Sequence, residues 1–589
     1  MKNQEEPLKT YSLRKNFYKK DAVALAFMSV VAAFLLWKCR YGIANIDESF
    51  YLTIPFRLYN GDALFVDEWN LAQMSGLLTA PIVWLYMTIT KGLNGIVLFM
   101  RYFYVVVQLV IAVFFYFRFK KLTYAGAACA AISFLLYAPY GIMALSYNSM
   151  AIMGLVLSFA FLGPDESFSK INYILAGVSF SASVLCCPYL VLVYFLYIVA
   201  VIARNIISKH TSYRFESESY IFSAKGAFTF SVGIALSVLV FALFVFSRGS
   251  LNDILTSLSH ILKDPSHPPT SFISSIKIYI LSVFLNDKFS FLVYAGLGIL
   301  FLVALIDKNR KTHKLTYFAM SGIFTFVLML LQIRLNYINM LMWSINALAV
   351  FVVLLSDKKR TRALFYTFWI SGIIYSFCSN WASNQRFYAI TSASTVATIG
   401  SILMIAAFLK ECFEQNTKKT YKQVILALAI LLISTQLISQ TVLRYKSVFW
   451  EKEGMPAQTE YIQSGVQSGL YVSKEKAEEY NKMYARINAL EKYNAKSAIF
   501  ITSDTRYYLY GEYNVGAFSA WLSKYNPLIL ERLITYYEFN PKMLPDIGYI
   551  EMDDSGEDFV AIAERFSDLY GYNWFYDMDG IILVKATPM

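Results

Sequence analysis

The sequence predicts a polytopic α-helical membrane protein of about thirteen spans, followed by a small extracytoplasmic α/β domain. Three observations carry that expectation. The 589 residues are 57% hydrophobic and only 16% charged, with a mean hydropathy of +0.47. Soluble globular chains are about one quarter charged, so this composition excludes an ordinary soluble enzyme, and equally a disordered, collagenous or coiled-coil chain. Apolar runs of about 20 residues, the length that crosses the hydrocarbon core, recur over residues 1–441. Finally, the charge changes sign along the chain. Residues 1–441 carry 37 Lys/Arg and 19 Asp/Glu, whereas residues 442–589 carry 15 and 21. The basic excess of the first part is a membrane-topology signal and not a nucleic-acid footprint, and no nucleic-acid partner is expected. The six cysteines show neither zinc-type spacing nor a disulfide framework.

Taken in order, the apolar runs are 22–38, 95–117, 122–140, 146–163, 171–187, 188–203, 226–247, 289–306, 315–333, 336–355, 363–379, 390–409 and 422–441. Lys/Arg clusters lie at the N-terminus, at Arg118–Lys121, Arg204–Lys225, Lys308–Lys314, Lys358–Arg362 and Lys410–Lys422. Placing these clusters in the cytoplasm puts the N-terminus inside and the C-terminal domain outside. Parity then forbids 76–90 (GLLTAPIVWLYMTIT) from crossing, so that this short, Pro81-containing run lies along the outer surface. The alternative lets it cross and gives up the rule at Arg118–Lys121.

Residues 442–589 lose the long apolar runs. Helical periodicity appears at 473–494 and 556–569, and strand-like runs at Ser497–Thr502, Ile547–Met552 and Ile581–Lys585. About 150 residues are enough for an independent core. The domains expected are therefore 1–441, a multi-span membrane domain, and 442–589, a soluble domain with no phosphate loop, His or Cys.

The long loop after the first span holds five carboxylates: Asp47, Glu48, Asp62, Asp67 and Glu68. Asp47 and Glu48 follow the membrane exit by about ten residues, where a carboxylate of raised pKa could act as a general base. The bland alternative is an acidic loop that is simply solvated. The order Asp47-Glu48, Tyr51, Gly61-Asp62, Asp67, Pro81 resembles the first outer loop of the GT-C superfamily of glycosyltransferases, which includes protein O-mannosyltransferases and the lipid A aminoarabinose transferase. Further along, residues 175–194 (LAGVSFSASVLCCPYLVLVY) resemble that superfamily's small-residue helix pair, with Cys187-Pro188 where a Lys is frequent. The loop 248–288, containing Asp264 and His267, resembles the loop that closes over the family's site. Asn380–Tyr388 resembles its Arg-Tyr approach to a late span.

The resemblance implies transfer of a sugar from a polyprenyl-phosphate-linked donor to a cell-envelope acceptor, within the lipid bilayer's outer face and in the inverting mode. On that reading Asp47 is the base, and Glu48 tunes it or binds sugar hydroxyls. Asp67, Glu68, Asp264, His267 and Tyr51 contribute to substrate binding. Arg386 holds the phosphate, since a planar fork matches phosphate geometry, with Arg334, Arg248 and Lys288 as competitors. A divalent cation could sit on Asp47, Glu48 or Asp67, but nothing requires one, and His260 and His267 form no evident ligand set. The rival reading is a transporter or flippase for lipid-linked sugars. Transport predicts ionisable residues in mid-span, and these are scarce, Arg101 being the main exception.

Overall fold

The structure, a computed structural model, describes the chain apart from residues 1–5, 44, 165–167, 211–219, 265–269, 286, 383–386, 415–418, 450–453, 503–505, 520–527, 553–556, 578 and 587–589. α1 (Glu6–Lys38) is followed by two shorter helices, α2 (Asn45–Tyr59) and α3 (Gly76–Thr90). Then come α4 (Ile96–Phe119), α5 (Tyr124–Leu136), α6 (Tyr147–Leu162), α7 (Lys170–Cys186), α8 (Val191–His210) and α9 (Ala224–Phe246). α10 (Leu251–Ile261) and α11 (Phe272–Phe284) precede α12 (Lys288–Ile306), α13 (Lys314–Arg334) and α14 (Leu341–Leu355). α15 (Lys359–Leu364) and α16 (Ser371–Ala382) are joined by a π turn at Phe365–Ile370. α17 (Phe387–Ala393), α18 (Thr395–Glu414) and α19 (Lys419–Lys446) complete the bundle.

Side-chain caps set many of these starts. Thr123, Ser223 and Ser271 accept from backbone N–H groups of the first turns of α5, α9 and α11, and Ser146 and Ser250 form capping boxes with Ser149 and Asp253. Each satisfies donors that the helix itself leaves open.

Among the described residues nine helices are long and apolar enough to cross a membrane by length and composition, and they coincide with nine of the thirteen expected spans. The expected runs 122–140, 146–163 and 171–187 form the shorter apolar helices α5, α6 and α7, and 363–379 is interrupted by the π turn. Thirteen full-length spans are therefore not reproduced. The expected loop at 248–288 is also largely helical: α10 is amphipathic, and α11 is itself apolar.

α3 begins and ends on the side of the bundle that carries the C-terminal domain, here called the tail side. Before it, Asn70 Nδ2 donates to Ser519 O; after it, Leu93 N donates to Glu512 Oε1 at 3.0 Å and Gly465 N to Asn94 Oδ1 at 2.7 Å. Its buried residues Gly76, Thr79, Ala80, Val83 and Met87 form one stripe, and Leu85 and Ile89 are exposed opposite. Both flanks of this helix are thus fastened to the tail.

The centre of the bundle is held by close helix contacts. A Cβ on Gly177 of α7 would stand 2.2 Å from Phe230 O, and one on Gly233 of α9 would stand 2.1 Å from Ile174 O. Only glycines permit backbones to approach this closely. Gly154 of α6 meets Ser183 of α7 in the same way.

The tail holds a small antiparallel pair, β1 (Glu460–Tyr461) and β2 (Tyr471–Val472), and a five-stranded mixed sheet. The latter consists of β3 (Ser497–Ile501), β4 (Asn514–Val515), β5 (Ile547–Glu551), β6 (Tyr572–Asp577) and β7 (Gly580–Lys585), in the order β4-β3-β5-β7-β6. β3 is parallel to β4 and β5, and the other pairs are antiparallel. α20 (Lys474–Leu490), α21 (Arg506–Tyr510), α22 (Leu528–Phe539) and α23 (Glu557–Tyr570) accompany the sheet. β3, β5 and β7 are buried along most of their length, so their apolar runs are continuous and do not alternate.

Candidate active site

At the tail side the end of α1, the start of α2, the second turn of α4 and the segment after α19 converge. Arg101 of α4 grips Glu48 of α2 with both arms of its fork, Nε to Oε1 at 2.6 Å and Nη2 to Oε2 at 2.5 Å. Its remaining nitrogen donates to Cys39 O and Gly42 O at 3.0 and 2.9 Å, and the guanidinium lies 4.5 Å from the Phe449 ring centre. Gly42 has φ +79°, and a Cβ there would stand 1.9 Å from Val448, so no side chain fits at this junction. Asp47 stands on the first turn of α2 beside Glu48, and its side chain lies outside the described residues.

Arg444, on the last turn of α19, is buried at 3% exposure. Its Nε has no hydrogen-bond partner, and no carboxylate pairs with it among the described residues. Tyr104 and Tyr137 are the ionisable groups near its charge. Lys38 is also buried and donates to Ser447 O. Three buried cations, Lys38, Arg101 and Arg444, thus share this junction with one described buried carboxylate, Glu48. Glu48 neutralises Arg101, which leaves Arg444 without a counter-charge among the described residues. A buried unpaired charge is costly, and an anionic ligand would remove that cost. Gln440 and Gln436, one and two turns before Arg444, continue the polar stripe, and their amide groups are buried without partners.

A second group of side chains adjoins α2. Tyr51 packs edge-on against Tyr147 at 6.0 Å. The Cys187 thiol lies 4.0 Å from Tyr147 O and 3.7 Å from the Tyr375 hydroxyl, and it accepts from the Tyr189 hydroxyl at 3.3 Å.

The remaining candidates from the sequence lie elsewhere. Asp67 accepts from Ala63 N at 2.9 Å and pairs with Lys542 of the tail at 3.0 Å. Glu68 accepts from Asn70 N and from Ser519 N, and pairs with Arg57 at 3.1 Å. Asp264 pairs with Arg532 of α22 at 3.1 Å. These three carboxylates, expected to meet substrate, are engaged in fastening two outer segments to the tail domain. His260 stacks on Trp69, which is fully buried against Phe518 and Tyr536. Burial opposes the charge on Arg57, but Glu68 and Asp62 outweigh it and hold its pKa well above the ordinary value. Asp62 is pushed above the usual carboxylate range by burial, against the pull of Arg57. Of the proposed phosphate clamps, Arg248 is occupied by Leu58 O and Asp62 O, and Arg334 and Lys288 are exposed. His267 and Arg386 lie outside the described residues.

Arg444 escapes a sequence reading because a basic residue closing the last span looks like an ordinary flanking charge. The signal that marks it is the spacing Gln436, Gln440, Arg444, a polar stripe on one face of an otherwise apolar helix.

No family model matches the chain, and no curated protein matches it by sequence. Among solved structures it is similar to the crystal structure of ArnT from Cupriavidus metallidurans bound to undecaprenyl phosphate, with 11% identity and a TM-score of 0.46 over 95% of this chain and 97% of that one.

Proposed function

We propose that this chain is an integral-membrane glycosyltransferase, which passes a sugar from a polyprenyl-phosphate-linked donor to a cell-envelope acceptor on the tail side of the membrane. The observation that carries the reading is the buried guanidinium of Arg444, which has no carboxylate partner among the described residues and lies near Tyr104 of α4, one turn from Arg101. A lipid phosphate supplies the missing negative charge at the depth where a membrane-anchored donor presents it.

In such a reaction the sugar is already activated. The acceptor oxygen bonds to the anomeric carbon as the bond from that carbon to the phosphate oxygen breaks, and attack from the opposite face inverts the centre. Asp47 takes the acceptor's hydroxyl proton. The Arg444 guanidinium holds the departing phosphate and stabilises its growing charge. Glu48 is a positioning residue: its bidentate pair with Arg101 fixes the first turn of α2, and so the place of Asp47.

The test is binding of undecaprenyl phosphate to the purified protein in nanodiscs. Arg444→Gln, which keeps a polar side chain but no charge, should weaken binding by about 1–3 kcal/mol. Unchanged affinity would remove Arg444 from the role and return it to Arg386.

A further inference from the structure

The tail sheet divides its helices between two faces. α20 and α21 pack with Ala498, Phe500 and Tyr549 on one face, and α22 and α23 pack with Ile499, Ile501 and Ile550 on the other. β3 and β5 are parallel neighbours. Yet the chain leaves β3 toward α21 on the first face and leaves β5 toward α23 on the second. Where adjacent parallel strands part in this way a crevice opens at their carboxyl ends, and open α/β sheets bind ligands there. In the tail this place is polar. Thr502, just past β3, donates to Oε2 of Glu551, the last residue of β5, at 2.5 Å. Arg486 of α20 donates to Glu551 Oε1 at 2.8 Å and to the Tyr507 hydroxyl at 3.0 Å, and its guanidinium lies 5.6 Å from the Tyr549 ring centre. Its Nε is buried with no hydrogen-bond partner. Arg506 lies 3.7 Å from Glu479, and Asp579, on the turn between β6 and β7, lies 3.2 Å from Lys482 and 3.9 Å from Arg486. Thr502, Tyr507, Arg486 and Arg506 are buried and form the floor, whereas Glu479, Lys482 and Asp579 are exposed around it. Buried ion pairs add little to stability, because desolvation offsets the pairing. A ligand that takes up their spare bonds accounts for them.

The charges decide what kind of ligand fits. Arg486, Arg506 and Lys482 balance Glu479, Glu551 and Asp579. An anion gains no net attraction and meets the outer carboxylates; a cation meets the guanidiniums. A neutral, hydroxyl-rich group suits both, since each hydroxyl can donate to a carboxylate and accept from a guanidinium or ammonium. We propose that this crevice binds a sugar of the acceptor. The acceptor is then a saccharide of more than one residue, held by the tail at one end while the other reaches Asp47. The inference rests on the glycosyltransferase reading. α21 stands between the crevice and α2: its Tyr507 faces the crevice, and its Tyr508 lies near Arg57 of α2.

The experiment uses the full-length protein in nanodiscs. The probes are size-fractionated oligosaccharides released by mild acid from the envelope of the cells that express it, inorganic phosphate, and undecaprenyl phosphate. Calorimetry measures each on the wild type and on Glu551→Gln, Asp579→Asn and Lys482→Ala. The wild type should bind an oligosaccharide fraction in preference to phosphate. Glu551→Gln should weaken that binding by about tenfold or more, the loss of one hydrogen bond to a charged group, and the two exposed variants should weaken it less. All three should bind undecaprenyl phosphate as the wild type does. If Glu551→Gln misfolds, Asp579→Asn and Lys482→Ala, whose side chains are exposed, decide. Wild-type oligosaccharide affinity in every folded variant overturns the inference, and so does a crevice that takes phosphate instead. A wild type that binds undecaprenyl phosphate but no oligosaccharide also overturns it and leaves the proposed function intact. If the wild type binds neither, the proposed function falls and the inference with it.

Discussion

Asp47 and Glu48 are neighbours on the first turn of α2, and Glu48 is paired with Arg101. A carboxylate pair just past the first span is legible as a candidate site from its position alone. That Glu48 is spent on Arg101 is not, because the partner lies 53 residues away on α4. The same contact accounts for Arg101, expected in mid-span and found on the second turn of α4. Removing one member of a buried pair strands the other's charge, at a cost of about 3–5 kcal/mol. Glu48→Gln should therefore lower the thermal stability of the detergent-solubilised protein by that order, whatever it does to activity. Full stability with lost transfer would instead make Glu48 a group that touches substrate. In the tail, Asp546 is a simpler case. Burial tends to raise its pKa, but backbone donors from Ser497 and Lys496, together with the Ser497 hydroxyl and Lys585, outweigh that and hold it below the usual carboxylate range. A depressed folded-state pKa stabilises above the unfolded value, about 3.9, and that stabilisation is lost as pH falls through the folded value. Asp546→Asn should remove this part of the acid unfolding of the tail, read by circular dichroism across pH 2–6; an unchanged acid limb would mean the bonds contribute nothing.

At the scale of elements, hydropathy located the long helices well because a spanning segment must be apolar along about 20 residues. It read α10 and α11 as loop, since their polar flanks and prolines look like a connection. Their helical character depends on caps at Ser250 and Ser271 and on packing that composition does not reveal. Charge parity predicts a surface-lying α3, and both its flanks contact the tail. The small residues of 175–187 read only as a composition bias. In the fold they let α7 pass within backbone contact of α6 and α9. Gly233→Val places a Cβ against the Ile174 carbonyl, a backbone atom that cannot swing aside, and should cost about 1–3 kcal/mol through overpacking, measured as a lowered midpoint of thermal unfolding. A neutral outcome would mean that the α7–α9 crossing has slack.

At the scale of the whole molecule, the loop carboxylates explain how two differently built parts act as one. Arg57 of α2 is clamped by Asp62 and Glu68 and donates to Ala517 O in the tail, and Arg532 of the tail reaches back to Asp264 and to Trp69 O. The tail thereby braces the helix that carries Asp47. This division of labour was hidden in the sequence, where five acids in one loop look alike; only the partners distinguish a brace from a base. On the proposed function Asp47, on that braced helix, is the base of sugar transfer. The most direct measurement is mass spectrometry of cell-surface polymers from cells expressing the wild-type protein or Asp47→Asn at equal membrane levels. The expected result is a sugar substituent present with the wild type and reduced about 10²-fold or more with Asp47→Asn, the usual contribution of a positioned base. The same substituent at equal abundance in both would contradict it.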